Sequence, residues 1–236
     1  MVDSRGGVAI AGAMKDFSIV FDLDGTLVDT APDLIAVSDQ MLAEMGSPPL
    51  PVGAGRVAAG QGARALLTAG LAAHGLPLPG DDEWPGLIAD FIARYQARIA
   101  ELSRPFPGAR EFLERAREKG ARLAVCTNKK DFLAVELLRR LELADYFHSI
   151  TGANTTGVGK PRPEPLLHCL REAGGRPERA VLIGDSMADV AAARAASVIP
   201  VLADWGYLDR AADEYGADYR AASLDEALGL CMELAG

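Results

Sequence analysis

The chain has 236 residues, of which 49% are hydrophobic and 24% charged, and its formal net charge is −9. That length supports a sizeable core in one large domain or in a domain with an insertion. The acidic balance argues against a broad nucleic-acid-binding face, which needs clustered Lys and Arg, so an anionic substrate would have to be drawn by a local cation. No stretch approaches the roughly 18 apolar residues of a membrane span. Residues 1–14 lack the sustained apolar segment of a signal peptide and read as a frayed extension, with Met14 an alternative start. The expected location is the cytoplasm. Cys126, Cys169 and Cys231 are odd in number and without metal-ligand spacing, as expected of buried reduced thiols.

The first element is an apolar run, Phe17 to Phe21, that reads as a short buried strand. It ends in Asp22-Leu23-Asp24-Gly25-Thr26, where Gly25 breaks the strand just after two carboxylates. Residues two apart on a strand share a face, so Asp22 and Asp24 project side by side. Two like charges that close repel unless a cation or a shared proton relieves them. The pair therefore reads as chemistry. A calcium loop of the EF-hand kind needs Gly at its sixth position, where Leu27 stands, and a helix before it.

From Ala31 to Arg104 the pattern turns helical, with apolar residues at helical spacing over Ala31 to Met45, Arg56 to Ala73 and Leu87 to Leu102. Pro48-Pro49 and the stretch from Pro77 to Pro85 punctuate it as loops. Gly60-Gln61-Gly62-Ala63-Arg64 fits part of a dinucleotide fingerprint, but no strand precedes it. Either it packs two helices closely, or it forms a loop over a substrate with Gly62, Gln61 or Arg64 against the leaving group. Arg104-Pro105-Phe106-Pro107-Gly108 then marks a stiff connection into a different pattern.

After Ala109 helices and strands alternate: helices Ala109 to Lys119, Phe132 to Leu141, Pro165 to Ala173, Ala188 to Ala195 and Leu224 to Leu234. Between them lie strands Leu123 to Cys126, His148 to Ile150, Ala180 to Ile183 and Val198 to Leu202. Apolar runs linked by amphipathic helices describe an α/β protein with a doubly wound parallel sheet, and the helical block is an insertion after its first unit. Such sheets bind ligands beyond the carboxyl ends of their strands. Four strand exits carry chemically useful residues: Asp22 and Asp24; Thr127-Asn128-Lys129; the loop Gly157-Val158-Gly159-Lys160-Pro161; and Gly184-Asp185-Ser186, with Asp189 beyond. Pro161 stands where a phosphate-binding P-loop needs Ser or Thr, so that motif is absent. His74, His148 and His168 lack ligand spacing.

Asp22 and Asp185 with the Asp24 main-chain carbonyl offer hard oxygen ligands suited to Mg2+. Lys160, Thr127 and Asn128 offer groups that neutralise or hold a phosphate. Phosphoryl transfer needs mainly positioning and charge stabilisation, and a carboxylate can be its covalent nucleophile. Asp22 would attack phosphorus, while Asp24 would protonate the departing oxygen and later activate water.

Asp22-Leu23-Asp24-Gly25-Thr26, Thr127, Lys160-Pro161 and Gly184-Asp185-x-x-x-Asp189 resemble, in order, the four signature motifs of the haloacid dehalogenase superfamily of phosphatases. The resemblance covers nearly the whole chain after Met14. The insertion resembles the superfamily's α-helical cap, giving an expected catalytic core at 15–30 and 105–236 and a cap at 31–104. Phe21 to Leu34, Gly60 to Leu66 and Lys160 to Leu166 most resemble the phosphoglycolate phosphatase group.

The resemblance implies Asp22 as nucleophile, Asp24 as acid and base, and Thr127 and Lys160 as phosphate stabilisers. It also implies Asp22, Asp24 (through its carbonyl) and Asp185 as Mg2+ ligands, with Ser186 and Asp189 around them and Asp189 holding Lys160 or a metal-bound water. Dehalogenases of the superfamily lack the second aspartate, and its phosphomutases carry a cap lysine where the segment from Ala31 to Arg104 has none. The expected function is hydrolysis of a small phosphorylated metabolite, 2-phosphoglycolate first, by a monomer or homodimer. A phosphatase for a sugar phosphate or pyrophosphate is the nearest alternative, with a phosphomutase or a non-catalytic phosphate-binding protein further off.

Overall fold

The computed structural model describes residues 13–51 and 53–236. Most of the expected frayed extension lies outside the described residues. Met14, its last residue, is fully buried and donates its N–H to the Lys119 carbonyl at 2.9 Å, so the packed chain begins earlier than expected.

Strand β1 (Ser18–Phe21) leaves the carboxylate pair at its end, and β2 (Val28–Asp29) follows within a few residues. Four helices come next: α1 (Ala31–Glu44), α2 (Ala54–Gly60), α3 (Ala63–Ala73) and α4 (Trp84–Ala97). The return passes through β3 (Arg104–Pro105), antiparallel to β2 with Val28 opposite Pro105 and Asp29 opposite Arg104. The alternating half then runs α5 (Ala109–Glu118), β4 (Arg122–Cys126), α6 (Asp131–Arg140), β5 (Ser149–Thr151) and α7 (Glu164–Glu172). It ends with β6 (Ala180–Gly184), α8 (Met187–Ala195), β7 (Ile199–Ala203), β8 (Tyr219–Ala221) and α9 (Leu224–Ala235).

Six strands form one parallel sheet in the order β5-β4-β1-β6-β7-β8, the doubly wound architecture expected. Its strands read as continuous apolar runs because helices cover both faces. The period of two sorts β1 cleanly. Ile19 and Phe21 face a core shared with Leu113, Leu137 and Leu228, and the Phe21 ring meets Phe112 edge-on with centroids 5.0 Å apart. Val20 faces the opposite core with Leu166, Leu170 and Ala193 from α7 and α8.

Three local features depart from expectation. The helix anticipated over Arg56 to Ala73 is broken at Gln61-Gly62, where Gly62 takes φ +89°. That left-handed region suits glycine. The helix anticipated over Leu87 to Leu102 is α4, which starts at Trp84, with Pro85 in its first turn, and stops at Ala97. The return segment pairs with the exit segment as strands, stitched by the buried Asp33. Its carboxylate accepts from Leu102 N (2.9 Å), Ser103 N (2.8 Å) and Ser103 Oγ (2.5 Å).

Candidate active site

Leaving β1, the chain first builds the sheet outward through β4 and β5, then returns to the other side of β1 for β6 to β8. The reversal opens a crevice at the carboxyl end of β1, where doubly wound sheets bind ligands. Asp22 follows β1, Thr127 follows β4, Lys160 follows β5 and Asp185 follows β6. A cavity of about 540 Å3 sits there. Its floor carries Asp22, Asp24, Thr127, Lys129 and Lys160, and α4 walls it with Ile88, Phe91, Ile92 and Tyr95.

Lys160 is the hub of the floor. Its ammonium lies 2.8 Å from Asp22 Oδ1, 2.6 Å from Asp189 Oδ1 and 2.7 Å from the Cys126 carbonyl. Of its three N–H donors, two go to Asp189 and Cys126, while Asp22 Oδ1 stands in ion-pair reach without accepting a hydrogen bond. Burial would lower the Lys160 pKa, but Asp189 and Asp22 hold it above the ordinary lysine value. The Lys160 backbone is fixed as well: its N–H donates to Asn128 Oδ1 at 2.8 Å, and Asn128 Nδ2 donates to its carbonyl at 2.9 Å. Asn128, expected on the phosphate, lines the cavity but commits its amide to orienting the lysine. Asp189 Oδ2 closes a capping box at the start of α8, accepting from the Ser186 N–H at 3.0 Å and from the Ser186 hydroxyl. Of the two roles expected for Asp189, the structure shows the one on Lys160.

Asp22, Asp185 and Asp189 each bring a carboxylate oxygen within 4.8 Å of the others. Burial pushes Asp22 up to about 6 against the pull of Lys160. Asp185 is pushed up to about 8 by burial first, then by the charges of Asp22 and Asp189. Carboxylates crowded in this way are short of positive charge, which is what a divalent cation supplies. Asp189 already uses both oxygens. The donors that fit Mg2+ are therefore Asp22 and Asp185, joined by the Asp24 carbonyl expected from the sequence, all hard oxygens.

Asp185 is held firmly in place. Its Oδ2 accepts from Tyr207 N at 2.7 Å and its Oδ1 from Thr26 Oγ1 at 3.2 Å. Gly25 lies against it with φ +84°, and a Cβ there would stand 2.3 Å from Asp185 Oδ2. Tyr207 also reaches the exit to the helices. Its hydroxyl donates to Asp29 Oδ1 at 2.6 Å and accepts from Ala31 N at 2.9 Å.

Asp24 is paired with Lys129, whose Nζ is 2.8 Å and 3.1 Å from its two oxygens and 4.5 Å from the centroid of the Tyr95 ring. Burial would lower the Lys129 pKa, but Asp24 keeps it above its ordinary value. Thr127 is buried; its N–H donates to Thr151 O at 2.9 Å and its hydroxyl accepts from Lys129 N at 3.1 Å, leaving the hydroxyl proton free to donate. Gly62 lines the cavity as expected, but Arg64 does not. Its guanidinium pairs with Asp81 at 3.2 Å and stacks over the Trp84 ring at 4.7 Å. Sequence reasoning assigned no role to Lys129 or Asp33, and left Tyr207, with Trp205 and Gly206 after the last long strand, open between lining the site and packing. The only signal for Lys129 was its place beside Thr127 and Asn128 at a strand exit.

A switch point that gathers two strand-exit carboxylates, a hydroxyl and a buried lysine beneath a helical block defines a Rossmann-like hydrolase. The chain belongs to the haloacid dehalogenase-like hydrolases, whose family model matches residues 18–197. It is 42% identical over 217 residues to the phosphoglycolate phosphatase of Caulobacter vibrioides, across 92% of this chain and 91% of that one. Identity to the phosphoglycolate phosphatase of Agrobacterium fabrum is 40% over 190 residues, across 80% and 81% of the two chains. Among solved structures, a predicted phosphoglycolate phosphatase from Haemophilus somnus superposes with a TM-score of 0.82 at 26% identity, covering 92% of this chain and 99% of that one.

Proposed function

We propose that this protein is a Mg2+-dependent phosphomonoesterase that hydrolyses 2-phosphoglycolate to glycolate and phosphate through an aspartyl-phosphate on Asp22. The observation that carries the reading is the Lys160 ammonium 2.8 Å from Asp22 Oδ1, at the floor of a walled cavity. The names of the relatives support the substrate. Lys160 draws the dianionic phosphoryl group toward Asp22, and the Thr127 hydroxyl is free to donate to one of its oxygens. An Asp22 oxygen forms the bond to phosphorus as the bond to the leaving oxygen breaks. Asp24, in its acid form, gives that oxygen a proton and becomes a carboxylate. It then takes a proton from water as the water attacks phosphorus, which releases Asp22 and restores the acid. Mg2+ held by Asp22, Asp185 and the Asp24 carbonyl would neutralise phosphate charge that otherwise repels an attacking carboxylate.

In this reading residues 31–104 form a cap over a core of 15–30 and 105–236, and its closure excludes water from the reacting groups. The β2–β3 pair and the Asp33 stitch support it, since they hold both crossings between the two parts side by side. The substrate is a small phosphorylated metabolite and the place of action the cytoplasm. Among the described residues no helix is long and apolar enough to cross a membrane.

Asp22→Asn tests the nucleophile. With Mg2+ and 2-phosphoglycolate, kcat should fall on the order of 10^4-fold while the circular dichroism spectrum stays unchanged. Turnover retained within tenfold of wild type would remove Asp22 from that role. On the wild type, kcat/KM over 2-phosphoglycolate, a hexose phosphate and pyrophosphate ranks the substrates, and a preference for either of the others would displace phosphoglycolate.

A further inference from the structure

The wall contributed by the helical block offers the cavity no cation. Residues 31–104 contain no Lys, and Arg56, Arg64, Arg94, Arg98 and Arg104 all have partners elsewhere. Arg56 pairs with Asp29 at 3.1 Å, Arg64 with Asp81 at 3.2 Å, Arg94 with Glu44 at 2.6 Å and Arg98 with Glu101 at 3.0 Å. Arg104 donates to the Ser103 carbonyl at 2.7 Å. None of the five lines the cavity. On the floor, Lys160 gives two donors to Asp189 and Cys126 and faces Asp22 with its charge, which commits it to the phosphoryl end of the site. Lys130 reaches the lining but is exposed. The remaining buried ammonium on the cavity surface is Lys129, whose side chain is 6% exposed.

Its position is specific. Lys129 Nζ stands between both oxygens of Asp24 and the Tyr95 ring of α4. Asp24 takes at most two of its three N–H donors, and an aromatic face holds an ammonium without replacing a hydrogen-bond acceptor. One donor is therefore left for a ligand. The leaving oxygen of a phosphomonoester must come within hydrogen-bond reach of Asp24, roughly 2.6–3.2 Å. Atoms one or two bonds beyond that oxygen then lie beside Lys129. In 2-phosphoglycolate those atoms are the methylene and the carboxylate.

We propose that Lys129 is the specificity-determining residue of this site: its ammonium, seated against Tyr95, takes the carboxylate of a small phosphorylated hydroxy acid. The proposal rests on the reading of Asp24 as the group that acts on the leaving oxygen. It places carboxylate recognition on the sheet edge rather than on the helical wall. No bond is made or broken in the step; one charged hydrogen bond forms between ligand and Lys129.

The test compares 2-phosphoglycolate with ethyl phosphate, which has the same chain length but no carboxylate, in wild type and Lys129→Met. Wild type should prefer 2-phosphoglycolate. Lys129→Met should lose roughly 100-fold in kcat/KM on 2-phosphoglycolate and about tenfold or less on ethyl phosphate, with much of the difference in KM. Binding of non-reacting mimics isolates recognition from any effect on Asp24. By calorimetry with Mg2+, wild type should bind 3-phosphonopropionate more tightly than propylphosphonate, and Lys129→Met should bind the two alike. Where Lys129→Met does not fold, Lys129→Gln repeats both measurements. Equal losses on both esters, with the preference between phosphonates kept, would reduce Lys129 to a support for Asp24 and overturn the proposal while the phosphoglycolate reading stands. A wild type indifferent to the carboxylate in both assays would overturn that reading and this one with it.

Discussion

The floor and the wall of the cavity are built on opposite terms. On the floor, charged groups are buried and tied: Lys160 to two acceptors and to Asp22 as an ion pair, Asp189 to Lys160 and Ser186, Asp24 to Lys129, Asp185 to Tyr207 and Thr26. The wall presents Ile88, Phe91 and Ile92, and the arginines of the helical block pair away from the cavity. The floor thus holds a charge arrangement that cannot relax without loss, whereas the wall excludes water and shapes the space. Charge chemistry, and in our reading charge recognition too, belongs to the sheet edge.

The largest break in that contrast comes from removing the floor's hub. Lys160→Met leaves Asp22 and Asp189 facing each other without the ammonium between them. We expect kcat on 2-phosphoglycolate to fall on the order of 10^3-fold or more. Native stability should also drop, because a buried pair that loses one partner leaves an uncompensated charge worth roughly 3–5 kcal/mol. The pH dependence has a definite sign. A carboxyl whose folded pKa is raised destabilises the fold when ionised and is relieved by protonation as pH falls. Asp22 is already pushed up to about 6 with Lys160 present. The gap between variant and wild type in urea unfolding should therefore be wide at about pH 8 and narrow at about pH 5.5. A gap independent of pH would show that the lysine stabilises by packing alone.

How much of this contrast was legible beforehand follows from how each half is encoded. Asp22, Asp24, Thr127, Lys160 and Asp185 each stand at the end of an apolar run or a marked loop, so strand patterning and short-range spacing expose them. The Lys129–Asp24 pair joins positions 105 residues apart, and nothing local distinguishes Lys129 from Lys130 beside it. Tyr207 holds Asp185 through its backbone N–H, a contact that carries no residue signature. Helical periodicity is blind to φ, so it ran through Gly62. Strands β2 and β3 are two residues each, and β8 exposes two of its three residues, so none presents an alternating pattern. The side of α3 on which Arg64 would emerge depended on that unseen break.

A smaller perturbation sharpens the floor without removing a charge. Gly25→Ala places a Cβ 2.3 Å from Asp185 Oδ2 at φ +84°. The carboxylate must move off Tyr207 N, or the turn must strain. Because Asp185 is a proposed Mg2+ ligand, the Mg2+ concentration giving half-maximal activity should rise on the order of tenfold. At saturating Mg2+, kcat should recover to within about tenfold of wild type. An unchanged Mg2+ requirement, with kcat reduced, would place the damage on Asp22 or Asp24 instead.

The smallest effect should come from the wall. Arg64 pairs with Asp81, whose side chain is 96% exposed, and stacks on Trp84 away from the cavity. Exposed ion pairs of this kind contribute little. Arg64→Ala should therefore leave kcat/KM for 2-phosphoglycolate within about twofold of wild type, and the melting temperature within about 2 °C. The null result is informative only beside a positive control on the same surface, and Tyr95→Leu supplies one by removing the ring against Lys129 while keeping the wall apolar. If Arg64→Ala instead cost tenfold or more with the fold intact, the guanidinium would have to leave Trp84 and reach the substrate during turnover. Carboxylate recognition would then be shared between wall and floor, and the division of labour drawn from the resting structure would fail.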